Sequence, residues 1–184
     1  MDIETLYEDY WFDLCKKRKS SFSKETITRL DYFVENEKNI RRLNVIKRTR
    51  KRPVTGDYFE IRPFDNIVLY GLVLNSEVVF AEENNYVNIV IFKEDLLNKL
   101  KSKCPIEEED IFMGPCIITR AYWTSGYFHT LDNVKFEVAD NLLGFFDMVK
   151  CKFVDENRNE LTLEPQIINL YSAYTIDGIG NEIF

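Results

Sequence analysis

The chain has 184 residues, of which 45% are apolar, enough for one domain with a sizeable core and too many for a disordered chain. It contains no run of about 18 apolar residues, which argues against a transmembrane helix. The net charge of −7 is uneven: residues 1–52 hold 14 Lys/Arg and 9 Asp/Glu, whereas residues 53–184 hold 10 and 22. The larger, acidic part therefore disfavours duplex nucleic acid and suits a basic partner.

Residues 1–52 are predicted to form a helical extension. Ser21 or Ser23 is positioned to cap the second of two helices, whose short polar link predicts an antiparallel hairpin. If the stripe on the first helix is exposed, a homodimer through these helices is expected. The acidic, aromatic start lacks the features of a signal peptide, so a cytoplasmic location is expected. The apolar stripes have helical spacing and comprise Ile3, Leu6, Tyr7, Tyr10, Trp11 and Leu14, then Ile27, Leu30, Phe33 and Val34.

Residues 53–184 are predicted to form a β-rich domain. Polar and apolar residues alternate from Tyr58 to Arg62, which is typical of a strand. Asn75-Ser76 is predicted to be a turn, Glu82 to Asn85 a polar loop and Glu94 to Lys103 a short helix. The predicted fold class is α+β: mainly antiparallel β, as a twisted sheet or partly open barrel, with an N-terminal helical hairpin and one short additional helix. Further strands are predicted at 67–74, 78–80, 87–92, 116–120, 126–130, 150–154 and 161–163.

The sequence motifs of common catalytic sites are absent. There is no GxGxxG or GxxxxGK[ST] phosphate loop and no GxSxG nucleophile motif. The one histidine, His129, lies in a strand-like aromatic segment, where a structural role is more common than catalysis. Abundant carboxylates show no spacing that selects an acid–base pair, so we expect no enzyme, no cofactor and no metal. The cysteines form no CxxC pair and are expected to be free structural thiols at Cys15, Cys104, Cys116 and Cys151.

A basic run, Arg41 to Arg52, contains seven cations and no acid. It suits a phosphate-binding arm, which makes a nucleic-acid-associated protein the alternative function. It equally suits pairing with the acidic part of the same chain, or a solvated linker. Aromatic residues, on which single-stranded bases stack, are missing from the run, so nucleic acid is the less favoured partner.

Four segments in a fixed order carry a resemblance to a known family. TGDYFEIRPFDNIVLYGLVL begins with the turn Gly56-Asp57 and ends its second strand after Tyr70-Gly71. GPCIITRAYWTSGYFHTL combines Pro115, Trp123 and the triplet Gly126 to Phe128. FVDENRNEL and LYSAYTIDGIGNEI follow as weaker matches. Together these segments resemble the immunity protein 26 family over residues 50–181, without the N-terminal helices.

The resemblance implies a mainly β, cytoplasmic protein that neutralises a cognate bacterial toxin by stoichiometric protein–protein interaction, in a polymorphic or contact-dependent toxin system. The acidic composition independently suits a basic toxin, such as a nuclease. Acidic side chains that do not bind a partner are simply solvated, and aromatic side chains that do not bind a partner pack in the core beneath a turn; for Trp123 core packing is the favoured interpretation. The candidate partner-binding residues are two acid clusters and two aromatic side chains: Glu82, Glu83, Glu107, Glu108, Glu109, Asp110, Trp123 and Tyr127.

Overall fold

The structure is a computed structural model that describes residues 13, 16–17, 20–36, 43–63, 67–176 and 178–183. The apolar stripe of the first predicted helix, from Ile3 to Leu14, lies outside these residues, as do Arg41 and Arg42 of the basic run. The predicted helical hairpin is therefore not shown. Its second helix is present as α1 (Lys24–Asn36), and Ser23 caps it by accepting the Thr26 N–H at 3.1 Å.

Two open sheets form the body of the described chain. The larger has six strands in the order β5-β1-β2-β3-β4-β9, and the smaller has the order β7-β6-β8. Neighbours are antiparallel except for β4 with β9 and β6 with β8. The α+β class with mainly antiparallel sheets is thus confirmed. The strands are β1 (Asp57–Ile61), β2 (Leu69–Phe80), β3 (Glu83–Phe92), β4 (Ile111–Thr119), β5 (Phe128–Asn133), β6 (Leu143–Asp147), β7 (Lys152–Val154), β8 (Ile167–Leu170) and β9 (Ala173–Tyr174).

Short helices connect or cover these strands. The helix α2 (Leu97–Lys101) lies inside the range predicted from the leucine spacing and buries Leu100. A 3₁₀ turn (Glu108–Asp110) leads into β4, and α3 (Ala121–Thr124) lies between β4 and β5. The helix α4 (Gly178–Ile183) ends the described chain and buries Ile179 and Ile183 against the large sheet.

The first hairpin of the large sheet differs from the prediction. Asn75-Ser76 lies within β2 rather than in a turn, because shifts in the pairing with β3 on either side of Asn75 absorb the polar residues as bulges. The chain reverses at Ala81 and Glu82, whose φ angles of 50° and 66° are those of a tight two-residue turn. The predicted loop at Glu82 to Asn85 is therefore wrong from Glu83 onward, where β3 begins.

Both faces of the large sheet are buried. One face packs against α3 and α4, and the other packs against α2, the segment after β5, and β8. Gly71 in β2 makes room for this packing, since a Cβ there would lie 2.4 Å from Cζ of Phe59. The first face includes Phe59, Val73, Ile89, Cys116 and Ile118, and the second includes Tyr58, Leu72, Val90, Phe92 and Leu142.

The small sheet packs against one end of the large sheet. Phe145 and Val154 of the small sheet form a cluster with Val78 and Ile117 of the large one. Asn169 of β8 strengthens the join, because its Nδ2 donates to the Pro115 carbonyl at 3.0 Å.

Cys15 lies outside the described residues; the other three cysteines form no disulfide, as predicted, but they are not uniformly buried. Cys116 lies in the core, whereas Cys104 and Cys151 are exposed. Of these, only the buried Cys116 has the environment expected of a structural thiol, and the exposed Cys104 and Cys151 correct that expectation for the described residues.

Candidate partner-binding surfaces

The acid cluster before β4, Glu107 to Asp110, is a fixed turn that we call the acid turn. The backbone N–H of Glu107 donates to Asp110 Oδ2 at 2.8 Å, and the Asp110 N–H donates to the Glu107 carbonyl at 3.2 Å. Lys99 of α2 pairs with Asp110 at 2.6 Å and with Glu107 at 3.3 Å. The hydrogen bond to Asp110, reinforced by the one to Glu107, raises the pKa of Lys99 above its usual range. Glu107 and Asp110 are therefore structural residues of this turn.

Glu108 and Glu109 are the outward-facing members of the acid turn. Both are exposed, and neither has an ion pair within the described part of the chain. They line a hollow of about 330 Å³ whose other walls include Phe112, Met113 and Ile167. Asp13, Lys17 and Lys93 also line it, and Nζ of Lys93 donates to the Ser21 carbonyl. A carboxylate pair beside an apolar hollow is suited to a basic side chain with an apolar stem.

The second predicted acid cluster, Glu82 and Glu83, lies at the tip of the β2–β3 hairpin. Both side chains are exposed and form no ion pair with a described residue. Glu83 lines a different hollow, about 420 Å³ in volume, together with the cations Arg52 and Arg120. The structure therefore does not bring the two acid clusters together, and it places Glu83 beside positive charge.

Trp123 and Tyr127 are buried rather than displayed. Each is 1% exposed, and Trp123 donates from Nε1 to Thr130 Oγ1 at 3.1 Å. The Trp123 ring meets Phe59 and Phe128 edge-on, with ring centroids 5.1 Å apart in both pairs. Trp123 lies in α3 and Tyr127 follows it, and both side chains are buried in the core. Their assignment to a partner-binding surface is therefore corrected: they stabilise the fold.

The end of the basic run is fixed to the β-rich part of the chain. Backbone N–H groups of Ile46 and Lys47 donate to the Gly126 carbonyl at 2.7 and 3.1 Å, and the Thr49 N–H donates to the Trp123 carbonyl at 3.2 Å. Gly126 permits this approach because its φ is +88° and a Cβ there would lie 2.9 Å from Cγ of Arg48. The sequence pattern did not reveal this attachment, since it joins segments far apart in the chain.

Five cations lie along and after this attachment, and we call them the basic strap: Lys47, Arg48, Arg50, Lys51 and Arg52. All five are exposed, and none forms an ion pair with another described residue. The intramolecular pairing offered as one explanation of the basic run is therefore not observed for these residues. Lys51 and Arg52 line hollows on two sides of the strap, of about 420 and 320 Å³.

His129 belongs to a small polar cluster on the edge strand β5 and its neighbour β1. Its Nδ1 lies 3.1 Å from Glu60 Oε1, and Glu60 also pairs with Arg62 at 3.2 Å. Across the described residues, no hydrogen bond joins the ring to a hydroxyl or thiol nucleophile. Those residues also contain no group of three or more His, Cys, Asp or Glu side chains placed to hold a metal ion.

Two titratable groups have pKa values displaced for structural reasons. Burial, together with a hydrogen bond to Asp95, raises the pKa of Tyr58 far above its usual value. The hydrogen bond from Arg158 holds the pKa of Asp147 below its usual range, and the backbone N–H groups of Lys150 and Val149 reinforce it. Both groups fix loops to strands and lie outside the acid turn and the basic strap.

One polar residue in the core was not predicted as a site. Asn88 lies in β3 between Val87 and Ile89, which are both fully buried, and is itself 5% exposed. Its Oδ1 is enclosed and has no hydrogen-bond partner in the described structure. The sequence carried a signal for this residue, because it places an amide inside an otherwise apolar strand. Buried amides are normally hydrogen-bonded, so such a residue indicates either a polar partner or a site.

No family model, curated protein or solved structure matches the chain. The resemblance to the immunity protein 26 family thus stays a prediction. In the described part of the chain, no helix has both the length and the apolar character needed to cross a membrane.

Proposed function

We propose that this protein is a cytoplasmic immunity protein that neutralises a basic toxin protein by stoichiometric binding. The observation that carries the proposal is the acid turn, where Glu108 and Glu109 are exposed and form no ion pair with another described residue. The turn is fixed before any partner arrives, because Lys99 and the backbone hydrogen bonds hold Glu107 and Asp110. Preorganised groups lose little conformational entropy on binding.

Electrostatic attraction would both accelerate the encounter with the toxin and orient the two proteins. Residues 53–184 have 22 acidic and 10 basic side chains, so their field attracts a cationic partner and accelerates encounter. The hollow beside Glu108 and Glu109 would then receive a basic side chain, its stem against Phe112 and its head near the carboxylates. Inhibition requires only that this contact cover the toxin's active surface.

The test uses a basic toxin domain encoded beside this gene. Co-expression should protect cells, and calorimetry should give a 1:1 complex with the full chain. The double variant E108K/E109K should weaken binding by at least about tenfold, because reversed charges repel the toxin's cations. The control E77K/E164K makes the same change in net charge on other exposed residues and should bind nearly as well as wild type. Absence of protection and binding by the wild-type chain would exclude the proposal, and equal weakening by both variants would exclude the acid turn as the interface.

A second function, nucleic-acid binding, is favoured by the basic strap. Its five cations are exposed, unpaired with described residues and held on a fixed backbone. Binding of duplex DNA through all five would give a slope of log K against log salt of roughly −4 to −5. Replacing the five by glutamine should abolish that binding and its salt dependence. Failure of the wild-type chain to retard DNA at low salt would exclude this function.

A further inference from the structure

A cavity of about 220 Å³ lies where the large sheet meets the small one. Its walls come from Leu74 of β2, Asn88 of β3, Phe145 of β6 and the loop after β7, which contributes Asp155 and Glu156. We call it the Asn88 cavity. It is separate from the acid turn, the basic strap and their hollows, which have other lining residues.

Asn88 gives this cavity a buried hydrogen-bonding group that the protein does not use. The residue is 5% exposed, its Oδ1 has no partner, and its Nδ2 makes no hydrogen bond within the described chain. A half-turn of the side-chain amide exchanges oxygen and nitrogen, so the acceptor can be turned toward the cavity it lines. The cross-strand neighbour Asn75 differs, since its Nδ2 donates to Glu156 Oε1 at 2.8 Å and its Oδ1 accepts the Glu77 N–H at 2.9 Å.

The two carboxylates of the cavity carry uncompensated negative charge. Neither Asp155 nor Glu156 forms an ion pair with any described residue, and the nearby Arg158 is engaged by Asp147 at 2.5 Å. Asp155 is occupied by its own loop, whose Asn157 and Asn159 N–H groups donate to it. Glu156 is held by Asn75 through one oxygen, which leaves its second oxygen without a described partner.

We infer that the Asn88 cavity binds an alkylammonium or alkylguanidinium group. Glu156 would bind the cation, the Asn88 amide oxygen would accept one of its N–H donors, and Leu74 and Phe145 would contact the alkyl stem. The volume is below the ~300 Å³ typical of sites for drug-sized ligands and several times the ~30 Å³ of one water, which suits a single side chain or a small amine. The inference goes beyond the proposed function, because a free amine would bind here without any protein partner.

Titration calorimetry on the full chain tests the inference with n-butylguanidinium and n-butylammonium as cations and n-butanol as the neutral control. The cations should bind and butanol should not. E156Q keeps the acceptor for Asn75 but removes the charge, and it should weaken binding at least about tenfold. N88L should weaken it about fivefold by removing the amide. E164Q, an equal charge change on an exposed residue, should bind as wild type does. Absence of cation binding at millimolar concentration, equal binding of butanol, or full binding by E156Q would each overturn the inference.

A second arm identifies the source of the cation. A capped Gly-Arg-Gly peptide presents the same guanidinium on a polypeptide. Binding of both the peptide and n-butylguanidinium supports an arginine side chain of a partner protein, and binding of n-butylguanidinium without the peptide supports a free small-molecule cation. The result is independent of the toxin experiment, because E156Q should leave the acid turn intact and E108K/E109K should leave the Asn88 cavity intact.

Discussion

Replacement of Asn88 by leucine should stabilise the protein. The two side chains have the same branching and number of heavy atoms, and the larger methyl groups of leucine can extend into the Asn88 cavity, which this residue lines. Asn88 is 5% exposed and its Oδ1 has no partner, and leaving such a group buried costs about 1–3 kcal/mol. Because one end of the amide borders the Asn88 cavity, we take the lower part of that range, a gain of about 1–2 kcal/mol. For a chain of 184 residues, each kcal/mol raises Tm by about 2–4 °C, so N88L should raise Tm by roughly 2–8 °C.

Thermal unfolding followed by circular dichroism measures this change, with chemical denaturation as a second readout. The matched control is N75L, which makes the same replacement on the neighbouring strand, where both the nitrogen and the oxygen of the amide are hydrogen-bonded. N75L should lose about 1–2 kcal/mol, because it leaves Glu156 and the Glu77 N–H without their partner. A lower Tm for N88L, or shifts of equal sign in both variants, would refute the reasoning that Asn88 is retained at a cost in stability.

Three further changes test the fold. D147N should cost about 2 kcal/mol by weakening the bonds from Arg158, measured by urea unfolding. Folding lowers the pKa of Asp147. The stabilisation that its carboxylate provides is therefore present above the pKa of about 3.9 in the unfolded chain, and it is lost as the pH falls through the folded pKa. Below about pH 4, wild type should lose more of its free energy of unfolding than D147N does. G71A should lose about 1–3 kcal/mol, since the added Cβ meets Phe59, and an unchanged Tm would contradict the packing. W123A should lose about 3–5 kcal/mol, whereas a residue serving only a partner would leave Tm unchanged.

The features that the sequence predicted correctly are local ones. The turn at Gly56-Asp57 follows from short-range chemistry: Gly56 adopts a φ of +88°, and the Asp57 carboxylate accepts the Val54 N–H at 3.1 Å. Ser23 and the leucines of α2 are similar cases, since capping and helical spacing involve residues within one or two turns. Each of these signals is complete within a few consecutive residues.

The errors come from contacts between distant segments. Strands were predicted at 116–120 and 126–130, on either side of α3, but no partner could be assigned to the second; it forms part of β5, which pairs with β1 and places Phe128 opposite Ile61. That pairing carries Trp123 into the core beside Phe59, which local sequence could not establish. The sequence showed Asn88 as a polar residue within an apolar strand. It did not show that Glu156, which lies 68 residues further along the chain, lines the same cavity. A site built from residues so far apart needs the topology before it can be recognised.

The distribution of ion pairs distinguishes charges that stabilise the fold from charges available for binding. Lys99 neutralises part of the acid turn, Lys101 pairs with Asp132 at 2.6 Å, and Arg158 pairs with Asp147. Within the described residues, no such pair joins the basic strap to the acid turn, so each surface keeps its own sign. Because exposed like charges repel unless a partner compensates them, each surface favours binding of an oppositely charged molecule. The two surfaces are therefore separable by mutation: neutralising the strap should leave toxin binding intact, and reversing Glu108 and Glu109 should strengthen rather than weaken any binding of DNA. A loss of both activities from either change would mean that one continuous interface serves them, contrary to the arrangement of charges found in this fold.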